Sequence, residues 1–271
     1  MPPRAFPRYR LLLVPIAAAA TAFPVLASGA VAHASSSVHY VALGDSYSSG
    51  LGAGDEGDGS CDQSPNAYSA LWAAQNAPAS YVTEACAGAT TSDVISGQLS
   101  ALSGSTSLVS ITIGGNDVGF SSVMETCVLD STSSCVSAID QAESEMHSTL
   151  PGALDTTFAD INADAPSANV VVLDYPDLYD LSQSSGCIGL STTDRTDLNQ
   201  AADELDSVEQ TAAQNEGDTF ADIRSAFSGH QICDSDSWLH SVNFLDIDES
   251  YHPTATGQAD GYLPVFSDAA G

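Results

Sequence analysis

Five short β-rich runs alternate with longer helical stretches along this chain, and that alternation limits the fold more than any other feature. The runs are Val38–Leu43 (VHYVAL), Tyr81–Glu84, Leu108–Ile113 (LVSITI), Asn169–Leu173 (NVVVL) and Thr219–Ile223. Between them Asn66–Asn76, a stretch from about Ser92, Val136–Asn162 and Arg195–Asn215 read as helices, and Pro253 is placed to open a last one at its first turn. Strands of this length separated by helices form βαβ units. The chain is therefore expected to be α/β, with a central parallel sheet. In such sheets ligands bind beyond the carboxyl ends of the strands. Three of the runs here end in turns rich in Gly, Ser, Asn and Asp.

The first ten residues hold three arginines and no acid. An apolar stretch, Leu11–Ala27, and the small-residue site Ala32-His33-Ala34 follow. This is the layout of a secretory signal peptide. Pro15, Pro24 and the short apolar core argue against a membrane anchor. Residues 1–34 are expected to be removed and residues 35–271 to form one exported domain. Once the leader is gone, Arg195 and Arg224 face 35 acidic residues with no lysine present, a formal charge of −33. Such a field repels nucleic acid and anionic lipid. It also repels itself unless cations screen it, so activity and melting temperature are expected to depend on salt. An acidic surface tuned only for solubility predicts no change between low salt and molar sodium chloride.

Six cysteines, Cys61, Cys86, Cys127, Cys135, Cys187 and Cys233, fit three disulfides in an exported chain. Fifteen connectivities are open. Loop-closure entropy favours near neighbours: Cys61–Cys86, Cys127–Cys135 and Cys187–Cys233. No Cys-x-x-Cys or His-Glu-x-x-His spacing supports a zinc site. The carboxylate-dense segment Asp55–Gly59 lacks EF-hand spacing and reads as a solvated loop. Trp72, Trp238 and Phe120 are either core or the lining of an apolar pocket.

Ser46 follows the first run directly, in Gly44-Asp45-Ser46-Tyr47-Ser48. A serine at a strand-to-helix turn is either a helix cap or a nucleophile. Position 48 is serine, so this is not the Gly-x-Ser-x-Gly elbow. His252, in Asp248-Glu249-Ser250-Tyr251-His252-Pro253, is the natural base for such a serine, and a nearby carboxylate commonly orients the ring. Asn116, in Gly114-Gly115-Asn116-Asp117, offers a side-chain amide to a developing oxyanion. Gly88 offers a bare backbone N–H. Each alone is as readily a turn residue or a structural histidine. Together they place a nucleophile, two donors and a base in successive strand-end loops.

With these residues in view, the sequence resembles the SGNH hydrolases, also called GDSL esterases and lipases. Gly44-Asp45-Ser46, Gly88, Gly115-Asn116-Asp117 and His252-Pro253 carry the likeness, which runs from about Tyr40 to the C-terminus. Cys86–Thr91, Trp238-Leu239-His240 and the six cysteines look like secreted bacterial lipases and esterases of that family. The resemblance implies a flavodoxin-like three-layer α/β/α fold. It implies that Ser46 attacks an ester carbonyl while His252 takes its proton. The oxyanion hole would be the Ser46 and Gly88 N–H groups with the Asn116 amide. Hydrolysis would pass through an acyl-enzyme with no metal or cofactor, and the disulfides would be sequential.

One position departs from the family. An aspartate usually stands three residues before the histidine, and here it is Glu249. Either Glu249 orients His252 with a longer arm, or a backbone carbonyl does so, as in some secreted relatives. The expected substrate is a small-molecule or lipid ester, neutral or zwitterionic rather than anionic. A carbohydrate acetylesterase and a catalytically silent secreted binding protein are the alternatives. The chain is expected to be a monomer without stable membrane insertion.

Overall fold

The apolar runs show little alternation because most of them are covered on both faces, as strands of parallel sheets are. In the computed structural model, which describes residues 1–2, 37–183 and 189–271, they form β1 (His39–Gly44), β2 (Ser80–Thr83), β3 (Leu108–Thr112), β4 (Asn169–Leu173) and β5 (Thr219–Ala221). All of β3 is buried, whereas the edge strand β2 is half exposed. The sheet order is β2-β1-β3-β4-β5, and every pairing is parallel. The chain leaves β1 one way for β2 and returns on the other side for β3. The carboxyl ends of β1 and β3 therefore flank the switch point where this topology opens a crevice.

Nine α-helices are described: α1 (Ser46–Ser49), α2 (Tyr68–Asn76), α3 (Thr91–Asp93), α4 (Phe120–Leu129), α5 (Thr132–Ser148), α6 (Leu150–Asp164), α7 (Thr192–Glu216), α8 (Arg224–Phe227) and α9 (Leu263–Ala270). Right-handed crossovers that run in opposite directions lie on opposite faces of the sheet. On one face α2 packs with α9. There Tyr40 of β1 meets Trp72 and Phe266, with ring centroids 5.3 and 5.4 Å apart. On the other, α5 packs against α4, α6 and α7. The three-layer α/β/α expectation holds.

Several boundaries differ from the sequence reading. Val136–Asn162 is not one helix: α5 and α6 meet at Thr149, and Pro151 sits in the first turn of α6, where its missing N–H costs nothing. The ten-residue α4 was not foreseen, and Cys127–Cys135 ties it to α5. Pro253 precedes the helical stretch that begins at residue 255 and runs on into α9, instead of entering it. Thr254 Oγ1 accepts from Gly257 N–H at 3.1 Å and caps that segment.

Cys61–Cys86 is bonded as well. Cys233 is disulfide-bonded, while its expected partner Cys187 lies outside the described residues, as does nearly all of the leader. No described helix is long and apolar enough to cross a membrane.

Candidate active site

β1 ends in Gly44 at φ +116°, where a Cβ would lie 2.3 Å from the Thr112 carbonyl oxygen, so only glycine fits. Gln98 holds it from both sides: Gly44 N–H donates to Oε1 at 2.7 Å, and Nε2 donates to the Gly44 carbonyl at 2.9 Å. The chain then turns into α1 with Asp45 as its cap. Asp45 Oδ1 accepts from Tyr47 N–H at 3.0 Å and from Thr112 Oγ1 at 2.7 Å, and Oδ2 accepts from the Tyr175 hydroxyl. Burial raises the Asp45 pKa to about 6 against these hydrogen bonds, which lower it. Ser46 is the first residue of α1, where backbone N–H groups have no partner within the helix.

His252 reaches Ser46 from the far end of the chain. Its Nε2 lies 2.7 Å from Ser46 Oγ, across 206 positions of sequence. Its Nδ1 lies 3.1 Å from the Ser250 carbonyl oxygen. A carbonyl only accepts, so Nδ1 carries the proton and Nε2 is left to accept from the serine hydroxyl. Burial lowers the His252 pKa to about 4, with the Ser250 and Asp248 carbonyls pulling the other way. Tyr251, just before it, has φ +69°, a strained value for a side-chain-bearing residue. Two contacts hold it there: its carbonyl accepts from Tyr47 Oη at 2.7 Å, and its ring packs against Tyr179.

The geometry separates the two alternatives for the group beside His252 Nδ1, Glu249 and a backbone carbonyl. His252 N–H donates to the Glu249 carbonyl at 3.1 Å, closing a tight turn. That turn directs the Glu249 carboxylate to Asn243 Nδ2, at 3.5 Å, and not to Nδ1 of the histidine. The backbone-carbonyl alternative is the arrangement present.

Gly88 is exposed at φ +78° with open space where a Cβ would be. Backbone conformation, not crowding, calls for glycine there. Asn116 follows β3 and lines the same cleft as Ser46. One of its amide hydrogens goes to the Ala89 carbonyl, at 3.0 Å, which leaves the second for a ligand. Asp117 clamps this loop to the Gly88 loop: its carboxylate accepts from Thr91 N–H at 3.0 Å and from the Thr91 hydroxyl.

From Ser46 an apolar pocket runs between α4, α5 and α7, lined by Val118, Phe120, Ile139, Ala142, Leu198, Ala201 and Leu205 among others. Phe120 therefore meets the pocket reading. Trp72 and Trp238 do not: Trp72 is core, and Trp238 stacks on His230 at 3.6 Å. In the acidic Asp55–Gly59 loop, Glu56 Oε1 accepts from Gly52 and Gly54 N–H at 2.9 and 3.0 Å.

Behind the site lies an acid group that the sequence did not flag. Glu209 of α7 is fully buried, and neither carboxyl oxygen has a hydrogen-bond partner among the described residues. Asp206 and Asp174 share this interior, with Arg224 Nε 3.4 and 3.7 Å from them. Burial first, then mutual repulsion, raises Glu209 and Asp206 well above the carboxylate range. Burial likewise raises Asp174 to about 8.

A carboxyl whose pKa rises on folding adds stability below its unfolded pKa and loses it as pH rises through the folded value. Melting temperature is therefore expected to fall between about pH 4 and about pH 8. Glu209→Gln, which cannot ionise, should flatten that fall. Equal slopes for variant and native protein would contradict it.

A 2-1-3-4-5 parallel sheet with Ser46 at the end of its first strand, paired with His252 and sharing a cleft with Asn116, is the fold of an SGNH hydrolase. The profile of the GDSL-like lipase/acylhydrolase family matches residues 42–259, and the chain belongs to that family. It is 51% identical to Lipase 1 of Streptomyces coelicolor, over 94% of this chain and 95% of that one. The crystal structure of phospholipase A1 from Streptomyces albidoflavus superposes with a TM-score of 0.83 at 54% identity, covering 85% of this chain and 98% of that one. That of the extracellular lipase from Streptomyces rimosus gives 0.83 at 46%, covering 86% and 99%. The protein is an ester hydrolase of the lipase and esterase class.

Proposed function

We propose that this chain is an exported lipase that cleaves acyl esters through a Ser46 acyl-enzyme. Ser46 Oγ bonds to the ester carbonyl carbon as His252 Nε2 takes the hydroxyl proton. The carbonyl oxygen gains the negative charge and is held by the Ser46 and Gly88 N–H groups and the Asn116 amide. The intermediate collapses, the alcohol leaves with the proton from His252, and water repeats the sequence to free the acid. The 2.7 Å contact between Ser46 Oγ and His252 Nε2 carries this reading. With its pKa near 4, His252 is neutral and ready as a base at any pH above about 5.

The Ser250 carbonyl fixes the imidazole tautomer in the place a carboxylate usually fills. Glu249→Gln should therefore keep kcat/KM within about threefold of native. A loss approaching about 10⁴-fold, as when a triad loses its carboxylate, would return the orienting role to Glu249.

The apolar pocket favours a medium or long acyl chain over the acetyl group that a carbohydrate acetylesterase removes. The phospholipase A1 relative supports phospholipid esters among the substrates. Turnover of p-nitrophenyl esters from acetate to palmitate tests this. In Ala201→Phe, which fills the pocket, kcat/KM for decanoate and longer esters should fall about tenfold relative to acetate. A native enzyme that turns over acetate alone, indifferent to this substitution, would favour the acetylesterase.

Removal of residues 1–34 as a signal peptide and action outside the cell follow from the leader layout, and the extracellular S. rimosus relative supports them. A monomer that does not bind nucleic acid fits the charge of the exported part.

A further inference from the structure

The loop that carries His252 exposes an apolar tip. Phe244 is 72% exposed, Leu245 99% and Ile247 58%. Single exposed apolar residues are ordinary on protein surfaces, but three within four positions on one loop are not. The loop is built, not loose. At its base His240 N–H donates to the His252 carbonyl at 2.9 Å, and Tyr251 N–H donates to the His240 carbonyl at 3.0 Å. Within it Asn243 N–H donates to Ser250 Oγ at 2.9 Å, Leu245 N–H to Asn243 Oδ1 at 3.0 Å, and Ser250 N–H to the Ile247 carbonyl at 3.1 Å. These bonds turn the chain so that the apolar side chains face outward while Val242 packs against the core.

We propose that Phe244, Leu245 and Ile247 seat the enzyme on a zwitterionic phospholipid surface. The proposal rests on the lipase reading above. The loop base bears His252, so contact at the tip brings the Ser46–His252 pair to the lipid. Charge selects the kind of surface. The exported part is strongly acidic, and Asp246, Asp248 and Glu249 lie in the same loop. An anionic surface is repelled, whereas a choline headgroup offers a cation to these carboxylates as the apolar side chains enter the headgroup boundary. The same charge opposes covering the tip with a second copy of the chain.

The test uses Ser46→Ala protein, so that binding is read without hydrolysis. Its sedimentation with phosphatidylcholine vesicles should fall about tenfold or more when Phe244→Ser, Leu245→Ser and Ile247→Ser are combined. At low salt, phosphatidylglycerol vesicles should bind less than phosphatidylcholine vesicles. The same triple change in the active enzyme should leave p-nitrophenyl acetate turnover within about twofold of native, since the tip is exposed. Unchanged sedimentation of the triple variant would overturn the proposal. So would an equal loss of acetate turnover, which would make the tip part of the site's framework. So would a native dimer that the triple variant dissolves, which would make the occupant a second copy. Failure of the nucleophile assignment would instead show as hydrolysis by Ser46→Ala, with vesicle binding unaffected.

Discussion

Ser46→Ala is expected to lower kcat on p-nitrophenyl butyrate by about 10⁴-fold to 10⁶-fold while the protein melts close to the native temperature. The substitution removes the atom that forms the acyl bond and nothing else of consequence. Ser46 Oγ spends its hydrogen bond on His252 Nε2, whereas the framework of the turn rests on Gly44, Asp45, Gln98 and Thr112. His252→Ala should cost about as much, and the double variant little more, because a nucleophile without its base and a base without its nucleophile are equally idle. Single-turnover kinetics beside thermal melts check both parts. Retention of more than about 1% of native turnover by Ser46→Ala would break the account.

Asn116→Ala should cost about 10²-fold to 10³-fold in kcat with little change in KM. A donor that matters only when charge develops on the carbonyl oxygen stabilises the transition state and not the bound ester. Its second contact, with the Ala89 carbonyl, complicates a simple truncation, so the melting temperature must be read alongside. Asp117→Ala supplies the contrast. It releases the Thr91 clamp and should lower stability first. If Asn116→Ala instead lost stability with kcat near native, Asn116 would be a loop brace and not an oxyanion donor.

The strands and the loops past β1, β2 and β3 were legible in the sequence because their signals are local: apolar runs, glycines where the chain must turn, and a serine or asparagine just past a strand; His252, expected in a fourth strand-end loop, instead comes after α8. What holds those loops was not. Gln98 braces Gly44 from 54 positions away, Thr112 and Tyr175 bind Asp45 from 67 and 130 away, and none of them belongs to a distinctive motif. The Ser250 carbonyl was illegible in a further sense, since a backbone oxygen has no residue identity. Glu249 drew attention by its spacing, and the 249–252 turn directs its carboxylate elsewhere. Glu209 was hidden by composition: among 35 acids a buried one looks like the rest. The α5–α6 break at Thr149 had its signal in Pro151, which suits the first turn of a new helix and not the interior of a long one.

Covalent trapping reads out the nucleophile itself. A p-nitrophenyl alkylphosphonate reacts with an activated nucleophile, releases p-nitrophenol and leaves a stable phosphonyl ester whose position peptide mapping locates. About one label per chain is expected, on the peptide that holds Ser46, at a rate that collapses in His252→Ala. Label on another residue, or a folded native protein that takes none, would contradict it.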